Sequence, residues 1–177
     1  MAITRLGGAN AISGTLPAAN INDTSIGNIT ALPAAIATGK VLQIVEDTSI
    51  DSFSTTSTSI SDTGYSITIT PTATSSKIIV IAYGNWGIGG TGRTRIKMVS
   101  NSSGSFLALN GEADYAGWSG SSTGLCWMGS IIGVEPTIGT TSPVTYKVQA
   151  ACISSGITWY VPIDNSYASI IAYEIAG

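Results

Sequence analysis

From Lys40 onward the apolar residues of this chain follow the two-residue period of β-strands; before it they follow no regular period. Tyr65-Ser66-Ile67-Thr68-Ile69-Thr70 alternates apolar and polar and then meets Pro71, which predicts a strand with one wet face that stops at the proline. Val41 to Glu46 carries apolar residues on both faces and predicts a strand buried on both sides, and Ile78 to Tyr83 is likewise two-faced and predicted to be central. Thr94, Ile96 and Met98 alternate with Arg93, Arg95, Lys97 and Val99. Further strands are predicted at Phe106 to Leu109, Leu125 to Ile132, Val144 to Cys152, Ile157 to Val161 and Ala168 to Ile175. Clusters of Gly, Ser, Thr, Asn and Pro, such as Gly84 to Gly92 and Ser100 to Ser105, read as the loops between them. No segment after residue 40 has helical periodicity. Many short strands without intervening helices predict an all-β antiparallel sandwich, and the strand count suits a jelly roll of two packed sheets.

Residues 1–38 read differently. Ile12, Leu16, Ile21, Ile26, Ile29 and Leu32 stand isolated among small and polar residues, and Pro17 and Pro33 interrupt any long helix. Such a stretch cannot build a core and is costly to order without a surface to receive it. The expectation is an extended attachment arm over 1–38 followed by a sandwich domain over 39–177. Ile12, Leu16, Ile21 and Ile26 are its expected attachment residues, each contributing ~1–3 kcal/mol if fully buried in a shallow pocket.

Composition narrows the class. Charged residues are 10% of the 177, well below the ordinary quarter, so solubility rests on Ser, Thr, Asn and backbone. A net charge of −3 supplies no clustered cations for a polyanion, so nucleic acid is not an expected partner. The unbroken apolar run Ile78 to Tyr83 is far below the ~20 residues of a membrane span, and no membrane insertion is expected. Met1 to Arg5 leads into Gly, Asn and Ser instead of an apolar signal segment, so synthesis in the cytoplasm is expected. Cys126 and Cys152, both in predicted strands, read as small buried hydrophobes ahead of a bridge. The sequons at Asn22, Asn28 and Asn101 carry little meaning without a secretory signal.

The chain has no histidine, which removes Ser-His-Asp and Cys-His nucleophiles and every imidazole metal site; no catalytic residue, cofactor or metal is expected. Gly120 to Gly124 matches G-x-S-x-G but precedes a strand, and Gly87 to Gly92 matches G-x-G-x-x-G but leads into another strand, where phosphate binding needs a helix. The closest carboxylates, Glu46, Asp47 and Asp51, then Glu112 and Asp114, read as solvated loops ahead of an acid/base pair. Trp127 and Trp159 read as core or subunit interface. Trp86 and Trp118 sit in Gly-rich stretches, where a glycan platform is weighed against packing. Arg93, Arg95 and Lys97 read as a solvated edge or as a contact with an acidic subunit surface.

Ile3-Thr4-Arg5-Leu6-Gly7-Gly8-Ala9-Asn10-Ala11-Ile12 and Leu16-Pro17-Ala18-Ala19-Asn20-Ile21-Asn22-Asp23-Thr24-Ser25 resemble the N-terminal segments of structural proteins of tailed phages, cyanophages included. Gly39 to Val45, Ser66 to Pro71, Ser76 to Val80 and Ser169 to Ile175 resemble a domain of phage tail-fibre and tailspike tips and of capsid decoration proteins. The resemblance covers most of the chain through strand patterns and transfers no functional residue. It implies a homotrimeric β-sandwich on the virion surface. Two functions follow: a capsid cement protein bound to the major capsid protein on the outer head, or a tail-fibre or tailspike tip that recognises a host surface glycan. The short chain, with little left for a shaft, favours cement.

Overall fold

The computed structural model describes residues 40–48, 51–104, 107–109, 113–120, 125–163 and 167–177, with the backbone alone for 107 and 113–118. The expected arm, with Ile12, Leu16, Ile21 and Ile26, lies outside these residues, as do Glu112 and Ser121 to Gly124. Eleven strands run through the described residues, and no helix: β1 (Val41–Asp47), β2 (Ser54–Thr55), β3 (Ser61–Ile69), β4 (Lys77–Gly89), β5 (Gly92–Ser100), β6 (Leu107–Ala108), β7 (Ala113–Ser119), β8 (Leu125–Glu135), β9 (Val144–Cys152), β10 (Thr158–Tyr160) and β11 (Ala168–Ile175).

They form two antiparallel sheets. In sheet A, β4 is the central strand: β8 pairs along one edge from Ile78 to Ile88, while β11 and then β10 share the other edge. β1 extends the sheet beyond β11, and β2 beyond β10. In sheet B the order is β3-β9-β5, with β6 and β7 on the far edge of β5. Setting aside the short β2, β6 and β10 leaves eight strands, ordered β1-β11-β4-β8 and β3-β9-β5-β7. This is a jelly roll, the sandwich expected from the alternation.

The period of two decides which side chains meet between the sheets. Tyr65, Ile67 and Ile69 of β3 turn inward, as do Ile78, Val80, Ala82, Trp86 and Ile88 of β4, Val144, Tyr146 and Val148 of β9, and Ile170 and Ala172 of β11; all are buried. Each full burial of such a side chain contributes about 1.5–3 kcal/mol. Gly64, at φ +92°, sits where the β3–β9 register slips between Asp62 and Ser66, a bulge conformation that glycine adopts without strain.

Several expectations are corrected. β1 is an edge strand of sheet A, not a strand buried on both sides: Ile44 is 58% exposed. Gly84 to Gly89 is not loop but the second half of β4. A Cβ at Gly84 would strike the Tyr65 hydroxyl, and one at Gly129, opposite it on β8, would strike the Trp86 ring, so these glycines leave room for large neighbours. Ala113–Ser119 forms β7 where only loop was read. β5 is flanked on both sides, so Arg93, Arg95 and Lys97 do not mark a sheet edge. Cys126 is exposed; Cys152 is the buried hydrophobe expected, and neither is in a disulfide.

Two carboxylates, one half-buried and one fully buried, fasten the layers. Glu135, at the end of β8, accepts hydrogen bonds from the hydroxyls of Ser100, Ser102 and Tyr146, joining sheet A to sheet B. Burial, and then the Glu135 contact, push the Tyr146 phenol well above its ordinary range. Glu174 of β11 is fully buried. It accepts from Gln43 Nε2 of β1 at 2.6 Å and from the backbone N–H and hydroxyl of Thr72 at 2.7 and 2.8 Å. Gln43 also donates to the Thr70 carbonyl at 2.7 Å. Burial alone would raise the Glu174 carboxyl, but the Ser76 hydroxyl together with Gln43 and Thr72 outweighs it and holds it at about 2.

A folded-state pKa below the ordinary value stabilises the fold above pH ~4.5, and that contribution fades as pH falls toward ~2. Acid titration of unfolding free energy is expected to show a loss on the order of 2–4 kcal/mol across this window in the native protein. Glu174→Gln should start less stable at pH 7 and lose less over the same range. Parallel curves would mean that Glu174 is not the titrating group.

Candidate interaction face

The outward positions of sheet A carry what the inner core does not use. Residues directly opposite one another in the ladder share a face, so the register arranges them in rows across four strands. Ile44, Tyr173, Ile79 and Val134 form one row from β1 to β8. Glu46, Ile171, Ile81 and Ile132 form the next. Ser169, Tyr83 and Ser130 follow, and then Asn85 with Met128. The Ile and Tyr side chains at the middle of the sheet are half-buried by their neighbours; at the margins Ile132 is 48% exposed and Met128 62%.

Four strands about 4.8 Å apart and rows about 6.8 Å apart give an apolar face on the order of 400 Å², as large as the patches that mark interaction sites on monomers. Its charges lie at the margins. Glu46 is held by the Ser169 hydroxyl at 3.0 Å, and Lys77 stands one row beyond Tyr173 and Ile79. Toward the far end, the Tyr83 and Tyr167 hydroxyls are 3.3 Å apart with ring centroids at 5.9 Å. Cys126 follows Met128 on the same side, its Sγ 3.4 Å from where a Cβ on Gly87 would stand.

The outer face of sheet B is of the opposite kind. Lys147 and Gln149 of β9 hold Asp62 of β3 at 2.9 and 2.6 Å, and these contacts, Gln149 first, lower the Asp62 carboxyl below its usual range. Arg93, Arg95 and Lys97 lie on the same side, so four of the chain's seven basic residues share this face. An exposed pair such as Lys147–Asp62 contributes only ~0–1 kcal/mol.

Of the sequence-predicted site residues, Trp86 and the backbone of Trp118 are described, and both lie away from this face. Trp86 is 3% exposed and meets Trp159 edge to face, with ring centroids 6.4 Å apart and planes at 80°. It has no open face for a sugar to stack on; the packing reading is the one realised. Trp159 is fully buried within the protomer, which removes it as a subunit-interface residue, whereas Tyr173 lies on the outer face of sheet A. Trp118 has its backbone in β7, opposite Arg93, and its side chain is outside the described atoms. Among the described residues no cluster of His, Cys, Asp and Glu could hold a metal ion, and the buried Cys152 thiol is raised by its burial, away from nucleophilic use. The interaction face was legible only as the unexplained second apolar side of Ile78 to Tyr83 and Ala168 to Ile175.

No protein-family profile matches the chain, and no curated protein matches it. Among solved structures, it is similar to the Gt strain of infectious bursal disease virus at 16% identity and a TM-score of 0.36, covering 76% of this chain and 38% of that one. The VP2 subviral particle of the same virus gives 15% and 0.35, covering 76% and 37%, and the Gx strain 11% and 0.33, covering 76% and 42%. The chain therefore spans about two-fifths of the viral chains it matches. Likeness at this level carries no statement about function.

Replacing Trp86 tests its placement. Trp86→Ala is expected to lower unfolding free energy by about 3–5 kcal/mol, read as an earlier denaturant midpoint with unchanged cooperativity. A midpoint equal to that of the native protein would put the ring back at the surface.

Proposed function

We propose that this chain is a structural virion protein: a homotrimeric capsid cement on the outer head of a tailed phage, bound to the major capsid protein. The observation that carries the reading is the apolar outer face of sheet A. A chain with 10% charged residues has few means of keeping such a face soluble, and covering it with other subunits suits a part made to be assembled. The resemblance of its strand segments to phage decoration and fibre-tip domains points the same way. In this reading residues 1–38 are the attachment device, with Ile12, Leu16, Ile21 and Ile26 entering shallow pockets on the shell, and three arms acting together raise avidity beyond that of one. A tail-fibre or tailspike tip remains the second reading, on the same resemblance; its glycan contact would no longer rest on Trp86.

Adding purified protein to undecorated heads tests the proposal. Full-length protein is expected to bind, and protein lacking residues 1–38 to stay folded and trimeric but fail to bind. Decoration by the truncated form as complete as by the full chain would move anchoring into the sandwich. Quantifying the protein in whole particles separates head from tail: a copy number that scales with the capsid lattice supports cement, and a handful per particle overturns it in favour of a fibre tip.

A further inference from the structure

We infer that the outer face of sheet A is where copies of this chain meet one another, gathered about a common axis. The inference rests on the assembly reading above and assigns the surface that carries it, leaving the polar outer face of sheet B turned away from the contact.

Three observations lead to a second copy as the occupant. The first is chemical kind. The outer rows are built of Ile, Val, Tyr and Met on the same strands whose inner rows form the core, so this face has the make-up of a core cut in half, as obligate interfaces between identical subunits do. The second is charge. Ile79, Ile81, Ile132 and Ile171 stand together in the register without a charged residue between them, and Glu46 and Lys77 lie at different margins. Two such faces can close without stacking like charges at the centre. A partner of strong charge finds nothing to pair with at the centre of this face.

The third is size and supply. Roughly 400 Å² of apolar face is about half of the ~800 Å² that each partner gives to a standard interface, and the polar rim formed by Ser130, Asn85 and Glu46 accounts for a margin of the usual kind. A face exposed on every newly folded copy needs an occupant made at the same time and in the same amount, and another copy meets that condition.

Cys126 provides a reporter at the end of the face, with the buried Cys152 as internal reference. The experiment measures mass by sedimentation equilibrium and maleimide labelling of each cysteine, for full-length native protein, Ile132→Asp and Ile44→Asp. Native protein at micromolar concentration is expected to be oligomeric, with Cys126 slow to label. Ile132→Asp should weaken association by more than about 100-fold, because an unpaired carboxylate would have to leave water. It should sediment near 18.0 kDa, label at Cys126 several-fold faster, and leave Cys152 unreactive and the circular dichroism unchanged. If Ile132→Asp fails to fold, Ile44→Asp on the edge strand decides by the same readings.

An oligomer that survives a folded variant overturns the assignment. So does a monomeric native protein, whether Cys126 is reactive, leaving the face bare, or protected, which would give the face to the chain's own residues 1–39. The two readings fail separately. Association through this face without binding to heads sinks the cement role and leaves the inference standing, and a mass other than about three chains corrects the trimer alone.

Discussion

The thirteen residues of β4 are hydrogen-bonded along both edges and apolar on both faces, and most of the protein depends on satisfying those two conditions together. The edges are met by β8 on one side and by β11 and β10 on the other. The inner face is met by sheet B, which closes over Ile78, Val80, Ala82, Trp86 and Ile88. Among the described residues the outer face is met only in part, by the side chains of neighbouring strands. A strand of this kind cannot be stable alone in water, and each covering element brings its own uncovered margin, so the apolar face spreads outward from β4 to β1 and β8.

Glycine makes the inner packing compatible with such large side chains. Gly84 and Gly129 stand opposite each other in β4 and β8. The first admits the Tyr65 hydroxyl and the second admits the Trp86 ring, which then meets Trp159 on its edge. Gly133 does the same for Met98, reaching across from sheet B. The glycines that look like loop punctuation in the sequence are here places where two sheets approach closely.

The two outer faces divide the labour of solubility and association. Sheet B shows water Thr, Gln, Lys and Arg; sheet A shows Ile, Val, Met and Tyr. Hydrogen-bonded carboxylates occur where the apolar layers end: fully buried Glu174 draws the edge strand β1 onto the β3–β4 turn, and half-buried Glu135 draws β8 onto sheet B. Each is satisfied by several donors, without which burying a carboxylate would cost more than it returns. The edges of the apolar face are thus held by polar contacts, while its middle is held by packing.

Much of the fold was legible in the chain itself. Alternation at Tyr65 to Thr70 and Val144 to Cys152 has a period that only a strand can present, and the absence of any helical period excluded the alternatives. Period alone also showed that Ile78 to Tyr83 is apolar on both sides. It could not show what lies on each side, because burial of an outward residue depends on strands distant in sequence. For that reason Val41 to Glu46 reads as buried when it is an edge, Trp86 reads as a loop aromatic when it fills the core, and Cys126 reads as buried when it stands open. The sequence by itself determined the strands, their turns and the lack of histidine chemistry. Tertiary structure decided which apolar face became core and which was left at the surface, since only the register of β1, β11, β4 and β8 brings Ile44, Tyr173, Ile79 and Val134 into one row.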